Sequence, residues 1–433
     1  MIRATFTLIA TLIAAPVWAI DIQQVTSPGG IRAWLVQDDS IPFVAVNIQF
    51  AGGASLDAPD ARGAITLMTA LLDEGAADRD ATQFATAMQD LGAQITFDAG
   101  ADSVSVGFRA LTEHRDASAD LLAQALTEPR FDDDAVERVR AQVQAAIRSD
   151  ATNPRAIGAR EMARQAWGDH PYATSINGTA ESVAALTVDD LRTAKDRVLA
   201  RDRIYIGAAG DINADDLGRL IDRILGDLPE TGAPLPEQAE LALTGGVTVI
   251  DWDSPQTLIS FAGAGLPILD PDYFPAMIAD HVLGGGGFSS RLMDEVREKR
   301  GLTYGIGTGL SNAQYGQMWQ GNTATANETA AQVVDLIRAE WDRMADGISE
   351  QERADAQTYL TGDYALRFDG NRRIAGILSG MQMIGLPADY VNTRNDQVMA
   401  VTADDVARVA ARLLDAGKLR FVLVGRPDGI AAD

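Results

Sequence analysis

The sequence contains no cysteine and only three histidines, His114, His170 and His281. The first absence excludes a disulfide, a thiolate metal site and a cysteine nucleophile. The second leaves little for a histidine centre, since the three are far apart in the chain and form no ligand pair. Beyond the extreme N-terminus, no stretch approaches the ~18 unbroken apolar residues of a membrane span. Basic residues are also in deficit, 36 against 61 acids, giving a formal net charge of −25. Phosphate binding needs a cationic footprint, so this balance argues against nucleic acid. The acids are spread along helical faces rather than collected in a tail, which reads as a solvated surface; a preference for basic peptides is the functional alternative. A G-x-S-x-G elbow and a credible Ser/His/Asp set are missing too, which leaves serine-hydrolase chemistry without support.

What is present suits a globular protein of two domains: 433 residues, 46% hydrophobic and 22% charged. The first nineteen residues, MIRATFTLIATLIAAPVWA, carry Arg3, an apolar run from Phe6 to Ala15, and Val17 and Ala19 at the −3 and −1 positions. This is the pattern of a secretory signal cleaved after Ala19, followed by a mature chain that is not inserted in the membrane. An exported chain without cysteine fits the periplasm.

The clearest boundary is LPETGAPLPEQAELALTGG at 228–246, rich in proline and glycine and without helical periodicity. It divides the chain into an N-terminal domain at 20–230, a linker at 231–246 and a C-terminal domain at 247–433. The two halves share an order of elements. Each begins with a strand, FVAVNIQFAGGAS at 43–55 and TLISFAGAGLP at 257–267, and each passes through an acidic turn with proline, LDAPDARG at 56–63 and LDPDYF at 269–274. Helices, a strand pair and further amphipathic helices follow in each, one of them opened by the capping-box spacing of Ser349 and Glu352. Strands alternating with helices in two similar halves predict an α+β fold of two α/β sandwich domains, each a mostly antiparallel sheet with helices packed on one face.

Three segments carry possible chemistry. Residues 63–75, GAITLMTALLDEG, read by themselves as a core helix with Leu67, Leu71 and Leu72 turned inward. Residues 284–304, GGGGFSSRLMDEVREKRGLTY, predict a helix capped by Ser289 or Ser290 and ended by a left-handed Gly301, with Arg297 in its last turns and Tyr304 on the next strand. Four glycines, Gly284, Gly285, Gly286 and Gly287, precede that helix. They lack the GK[ST] ending of a phosphate loop and read as a mobile loop whose backbone approaches a partner. The third segment is Trp167 with HPYATSINGT at 170–179, in which His170 reads as a structural helix-end residue.

Together these segments resemble the M16 (pitrilysin/insulinase-like) peptidase family, short-chain branch, over nearly the whole mature chain. In that family a glycine opens a helix with an inverted His-x-x-Glu-His motif; its histidines bind zinc and its glutamate is the general base. In register with Gly63, these positions hold Thr66, Thr69 and Ala70, and the family's third ligand falls at Ala146. The resemblance therefore implies a chain with no catalytic residue and no bound metal. The family's substrate-gripping pair, an arginine seven residues before a tyrosine, is matched by Arg297 and Tyr304. It implies a non-catalytic, peptide-binding subunit of a heterodimeric metallopeptidase whose partner chain supplies His-x-x-Glu-His and zinc. A catalytically inactive scaffold, structural or peptide-binding, is the alternative.

Overall fold

The computed structural model describes residues 20–311 and 313–430, so the expected signal segment and its expected cleavage after Ala19 lie outside the described residues. In chain order the strands are β1 (Gln23–Thr26), β2 (Arg32–Gln37), β3 (Phe43–Ala51), a small hairpin of β4 (Gly75–Ala76) and β5 (Arg79–Asp80), β6 (Gln94–Ala99), β7 (Ser103–Leu111) and β8 (Ile204–Gly210). The second half adds β9 (Gly246–Asp251), β10 (Gln256–Ala264), β11 (Ile306–Leu310), β12 (Met318–Ala326) and β13 (Arg420–Gly425).

The first sheet runs β1-β2-β8-β3-β7-β6 and the second β9-β13-β10-β12-β11. Laid side by side, β2, β8, β3, β7 and β6 match β9, β13, β10, β12 and β11, and β1 alone has no counterpart. Only the β2–β8 and β9–β13 pairings are parallel, and they occupy the same place in each sheet. The fold is α+β, with two mostly antiparallel sheets and helices packed on them.

Alternation along the central strands explains the layering. In β3, Val44, Val46, Ile48 and Phe50 are buried against the helices of their own half. In β10, Ile259 and Phe261 do the same in a second, separate core. The intervening residues face the opposite side, and there the expectation of helices on one face is incomplete. Each sheet is covered on its second face by a helix from the other half.

Helix Asn371–Met383 lies across β8, β3 and β2 of the first sheet. The Gln382 amide donates to the Ile206 carbonyl at 2.6 Å, and the Ser379 hydroxyl donates to Asn47 Oδ1 at 2.5 Å. The approach is close: a Cβ on Gly207 would stand 2.0 Å from the Ala375 carbonyl oxygen. Reciprocally, helix Pro154–Trp167 covers β13 and β10 of the second sheet. Its Met162, Ala166 and Trp167 form a third apolar cluster with Ala262, Met318 and Val422. The proline-rich connection has no helix or strand between Leu225 and Gly246. It is fastened to both halves, with Ala239 N–H donating to Tyr315 O at 2.6 Å and Ala242 N–H to Ala166 O at 2.9 Å.

Candidate functional site

The helix that carries the degenerate metal positions is anchored from its start. Asp57, buried in the turn before it, accepts the N–H groups of Gly63 at 2.7 Å and Ile65 at 2.9 Å. Burial pushes its carboxyl up to about 6, against the pull of those two N–H groups and of Arg62 and Arg197. The helix is shorter than the sequence suggests and is regular only over Ala64–Thr69. Beyond Thr69 the backbone tightens to i→i+3 bonds, Leu71 N–H to Met68 O and Leu72 N–H to Thr69 O. That twist brings Leu71 and Leu72 together into the core beside Leu67, with exposures of 1% and 0%.

The residues expected at the three ligand positions, Thr66, Ala70 and Ala146, and at the base position, Thr69, do not fit zinc, which takes nitrogen, sulfur or carboxylate ligands. Thr66 donates its hydroxyl to the Ile176 carbonyl at 2.6 Å. Thr69 is buried and its hydroxyl has no hydrogen-bond partner. Ala70 and Ala146 present methyl groups on the surface. One committed hydroxyl, one orphaned hydroxyl and two methyls make no metal site. The histidines do not replace them: His114 lies beside Glu113, His170 beside Glu237 O, and buried His281 packs 4.9 Å from the Tyr359 ring. Among the described residues no group of three His, Asp or Glu side chains is placed to hold a metal.

Arg297 and Tyr304 are brought to one place. Both line a cavity of about 490 Å³, with Gln256, Thr303 and Ala324 on its wall. Tyr304 also lines a larger groove of about 820 Å³ that runs between helix Pro154–Trp167 of the first half and strands β10 and β12 of the second. The end of the preceding helix is as expected. Gly301 takes φ 65°, its N–H bonds Arg297 O at 2.8 Å, and Leu302 N–H bonds Val296 O at 3.0 Å.

Three local details differ from the sequence reading. Ser289 and Ser290 do not cap the helix; their hydroxyls donate backward to Gly286 O at 2.9 Å and Gly287 O at 2.8 Å. The glycine run is itself helical, so those carbonyls are the nearest acceptors. Tyr304 is not on the strand. The Thr303 hydroxyl engages Ala324 O at 2.8 Å and Gly305 N–H at 3.2 Å, so pairing with β12 begins only at Ile306. Tyr304 is left 92% exposed at the cavity edge.

The third difference is the glycine run, which is a tightly packed turn and not an open loop. Gly284 and Gly285 end a wide helical turn over His281–Gly285. A Cβ on Gly284 would meet Thr308 Oγ1 at 2.6 Å, on Gly285 Asp280 Oδ2 at 2.4 Å, and on Gly286 His281 O at 2.6 Å; only Gly287, at φ 59°, stands clear. Asp280 beneath this turn accepts from Thr308 Oγ1 and Trp319 Nε1, each at 2.7 Å, and burial pushes its carboxyl up to about 6.

Two residues next to the grip went unrecognised in the sequence. Arg297 donates to Glu298 Oε1 at 2.5 Å, and its guanidinium lies 4.5 Å from the centre of the Phe288 ring. The remaining guanidinium donors make no hydrogen bond among the described residues and face the cavity. Nothing in the sequence marks Phe288 as a platform, since a lone aromatic after glycines has no periodic partner.

The His-Pro-Tyr segment fastens the halves together. The Tyr172 hydroxyl donates to Asp102 and accepts the Tyr315 N–H at 2.9 Å, while Asp102 accepts the Gln314 N–H at 2.8 Å. His170 takes the Tyr172 N–H on Nδ1 at 3.2 Å and places Nε2 3.2 Å from Glu237 O. Burial lowers its pKa below the ordinary histidine value, consistent with a neutral ring that accepts on one nitrogen and donates on the other. Asp102 and Tyr315, at the tips of two hairpins, carry no signal in the sequence.

Two profiles of one family match the chain in tandem: Insulinase (Peptidase family M16) over residues 32–180 and Peptidase M16 inactive domain over residues 185–360. Among curated proteins, the non-peptidase homolog YmxG of Helicobacter pylori is 24% identical over 390 residues, 89% of each chain. An uncharacterized zinc protease of Mycobacterium tuberculosis is 26% identical over 409 residues, 93% of this chain and 92% of its own. The crystal structure of a peptidase M16 inactive domain from Pseudomonas fluorescens superposes with a TM-score of 0.88 at 28% identity, covering 95% of this chain and all of that one. A protease from Helicobacter pylori shares the fold, with a TM-score of 0.85 at 15% identity and 94% of this chain covered. The chain belongs to peptidase family M16.

Proposed function

We propose that this chain is the non-catalytic, substrate-binding subunit of a heterodimeric M16-type zinc metallopeptidase in the periplasm, acting on peptides with a partner that supplies His-x-x-Glu-His and zinc. One observation carries the reading: the metal positions hold Thr66, Thr69, Ala70 and Ala146, yet Arg297 and Tyr304 are kept side by side on one open cavity. A grip of this kind has use only opposite a reactive centre, and this chain has none of its own.

Each residue has a defined task. The planar guanidinium of Arg297, steadied by Glu298 and Phe288, offers fixed donors to a peptide carbonyl or carboxylate. The Tyr304 hydroxyl, free in solvent, donates to the oxygen of the scissile carbonyl as charge develops there. The groove between the halves admits an extended chain and excludes a folded one.

A tagged pull-down from the periplasm is the first test, with co-purifying chains identified by mass spectrometry. A stoichiometric partner bearing His-x-x-Glu-His is the expected outcome. In the reconstituted pair, Arg297→Ala and Tyr304→Phe each lower kcat/KM by about 10²-fold, the effect of removing one donor to a developing oxyanion. Recovery of this chain alone sinks the heterodimer reading. The inactive scaffold then stands, in which Arg297, Glu298 and Phe288 are a self-satisfied surface cluster.

A further inference from the structure

Acids outnumber bases 61 to 36 on this chain, yet several arginines form no ion pair among the described residues, and three of them, Arg109, Arg372 and Arg373, are gathered in one place. All three line one cavity of about 610 Å³, between strands β3, β6 and β7 of the first sheet and the start of helix Asn371–Met383 from the second half. Arg109 lies over the Phe43 ring at 5.7 Å, and none of the three forms an ion pair among the described residues. Asp98 and Asp369 share the wall of the cavity without pairing to them.

The helix start facing this cavity is open. Its N-cap residue, Gly370, has φ 84° and no side chain to cap with, and the first turn holds no acid. The Arg373 and Ile374 N–H groups turn back to Gly370 O at 3.1 Å. Those of Asn371 and Arg372 find no acceptor among the described residues. Asn371 supplies an independent sign. Its side chain is 7% exposed, lines the cavity, and makes no hydrogen bond among the described residues. Its amide keeps contact with solvent in the cavity, so water or a ligand there can complete it. The counterpart helix in the other half is closed: Asn153 accepts the Arg155 N–H at 3.0 Å, and Pro154 has no N–H to satisfy. The open start is therefore a property of this site and not of the fold.

We propose that the cavity is a carboxylate site, in which Arg109, Arg372 and Arg373 with the Asn371 amide and the open helix start hold an acidic group of a bound peptide. Guanidinium forks match a carboxylate in two-point geometry, and the positive end of a helix favours the same charge. The chain's net charge would select basic peptides at long range, but that field is screened beyond ~8 Å at physiological salt. The contact surface selects the opposite sign. This deepens the function proposed above by naming acidic peptides as the substrate class, and rests on it only in calling the peptide a substrate.

The test uses the full chain without any partner, so a missing peptidase subunit does not affect it. Calorimetric titration compares a synthetic Gly/Ser/Ala peptide ending in Glu-Asp with its C-terminally amidated form, its Gln-Asn form, and the form with both changes. The acidic peptide binds at least tenfold tighter than the doubly neutral one. Whichever single change loses that preference identifies the chain terminus or the side chains as the source of the carboxylate. Arg372→Gln with Arg373→Gln reduces the preference about tenfold. Asn371→Ala reduces it severalfold without altering charge. Arg109→Gln, on a strand of the other half, does the same from an independent element, so distortion of the helix start does not mimic the result. Equal affinity for acidic and neutral peptides, or a preference that survives all three changes, overturns the site.

Discussion

Two helices change sides in this molecule, and they do so differently. Helix Pro154–Trp167 rests on the second sheet through Met162, Ala166 and Trp167, and its start is sealed by Asn153 and Pro154. Helix Asn371–Met383 rests on the first sheet through Gln382 and Ser379, and its start is open beside three unpaired arginines. Five strands of the sheets beneath them match in order. Topology thus fixes where each helix goes, while side chains decide whether its end is structure or surface for a ligand. Both contacts hold the halves together, the second also through buried Ala375 and Leu378 beside Gly207, but only the second has an uncapped start that leaves groups available.

The largest test of that contrast is Trp167→Ala. It empties the centre of the apolar exchange and costs about 3–5 kcal/mol in urea unfolding. An equal cost for Gln382→Ala would break the distinction.

Each half also buries a carboxylate near its first helix, Asp57 and Asp280, both pushed up to about 6 by burial, and burial raises Asp73 and Glu340 as well. At Asp57 and Asp280 the folded state binds more protons than the unfolded one between about 4 and 6. Their contribution to stability is therefore fully present below about 4 and is lost as pH rises through 6, opposite in sign to that of Glu352, which its pair with Arg291 holds low. Asp280→Asn keeps an acceptor for Thr308 and Trp319 and removes the charge. The rise corresponds to about 3 kcal/mol, so the variant is expected to be more stable than the parent at pH 7.5 and nearly equal at pH 4. Asp57 leaves a residual slope; an unchanged pH profile would refute the assignment.

Gln382→Ala is next in size, at about 1–3 kcal/mol, because the Ile206 carbonyl loses its amide donor. Smaller still is Asn153→Ala, at about 1 kcal/mol for a lost cap. Arg372→Gln, at the open start, is expected to stay within about 0.5 kcal/mol of the parent, since no partner is lost. Thermal melts of the two variants side by side check the pair. A cost for Arg372→Gln as large as that for Asn153→Ala would mean the open end is structural after all.

Much of the candidate site was legible because it depends on what side chains are. Alanine at 70 and 146 has no ligand chemistry, and threonine at 66 and 69 offers only a neutral hydroxyl, a weak ligand for zinc and a poor base. The spacing of Arg297, Gly301 and Tyr304 follows from one helix end, a local event over a few residues. Legibility failed where distant packing set the local conformation. The pattern after Gly63 predicts a helix through to 75, but burial of both Leu71 and Leu72 goes with tighter i→i+3 bonds after Thr69. The spacing puts Tyr304 on the strand, but the Thr303 hydroxyl engages the Ala324 carbonyl and leaves Tyr304 in solvent. Four glycines in a row predict a mobile loop, yet Thr308, Asp280 and His281 press against them.

The sequence by itself determined the family resemblance, the duplicated order of elements, the residue types at 66, 69, 70 and 146 and the spacing of Arg297 and Tyr304, because each is written in residue type and short-range order. Tertiary structure alone decided the exchange of helices, the Asp102–Tyr172–Tyr315 fastening and the gathering of Arg109 with Arg372 and Arg373. Those contacts join residues such as Ile206 and Gln382, 176 positions apart. No local preference reports on such a pairing, since it exists only once both sheets have formed and each has an open face to cover.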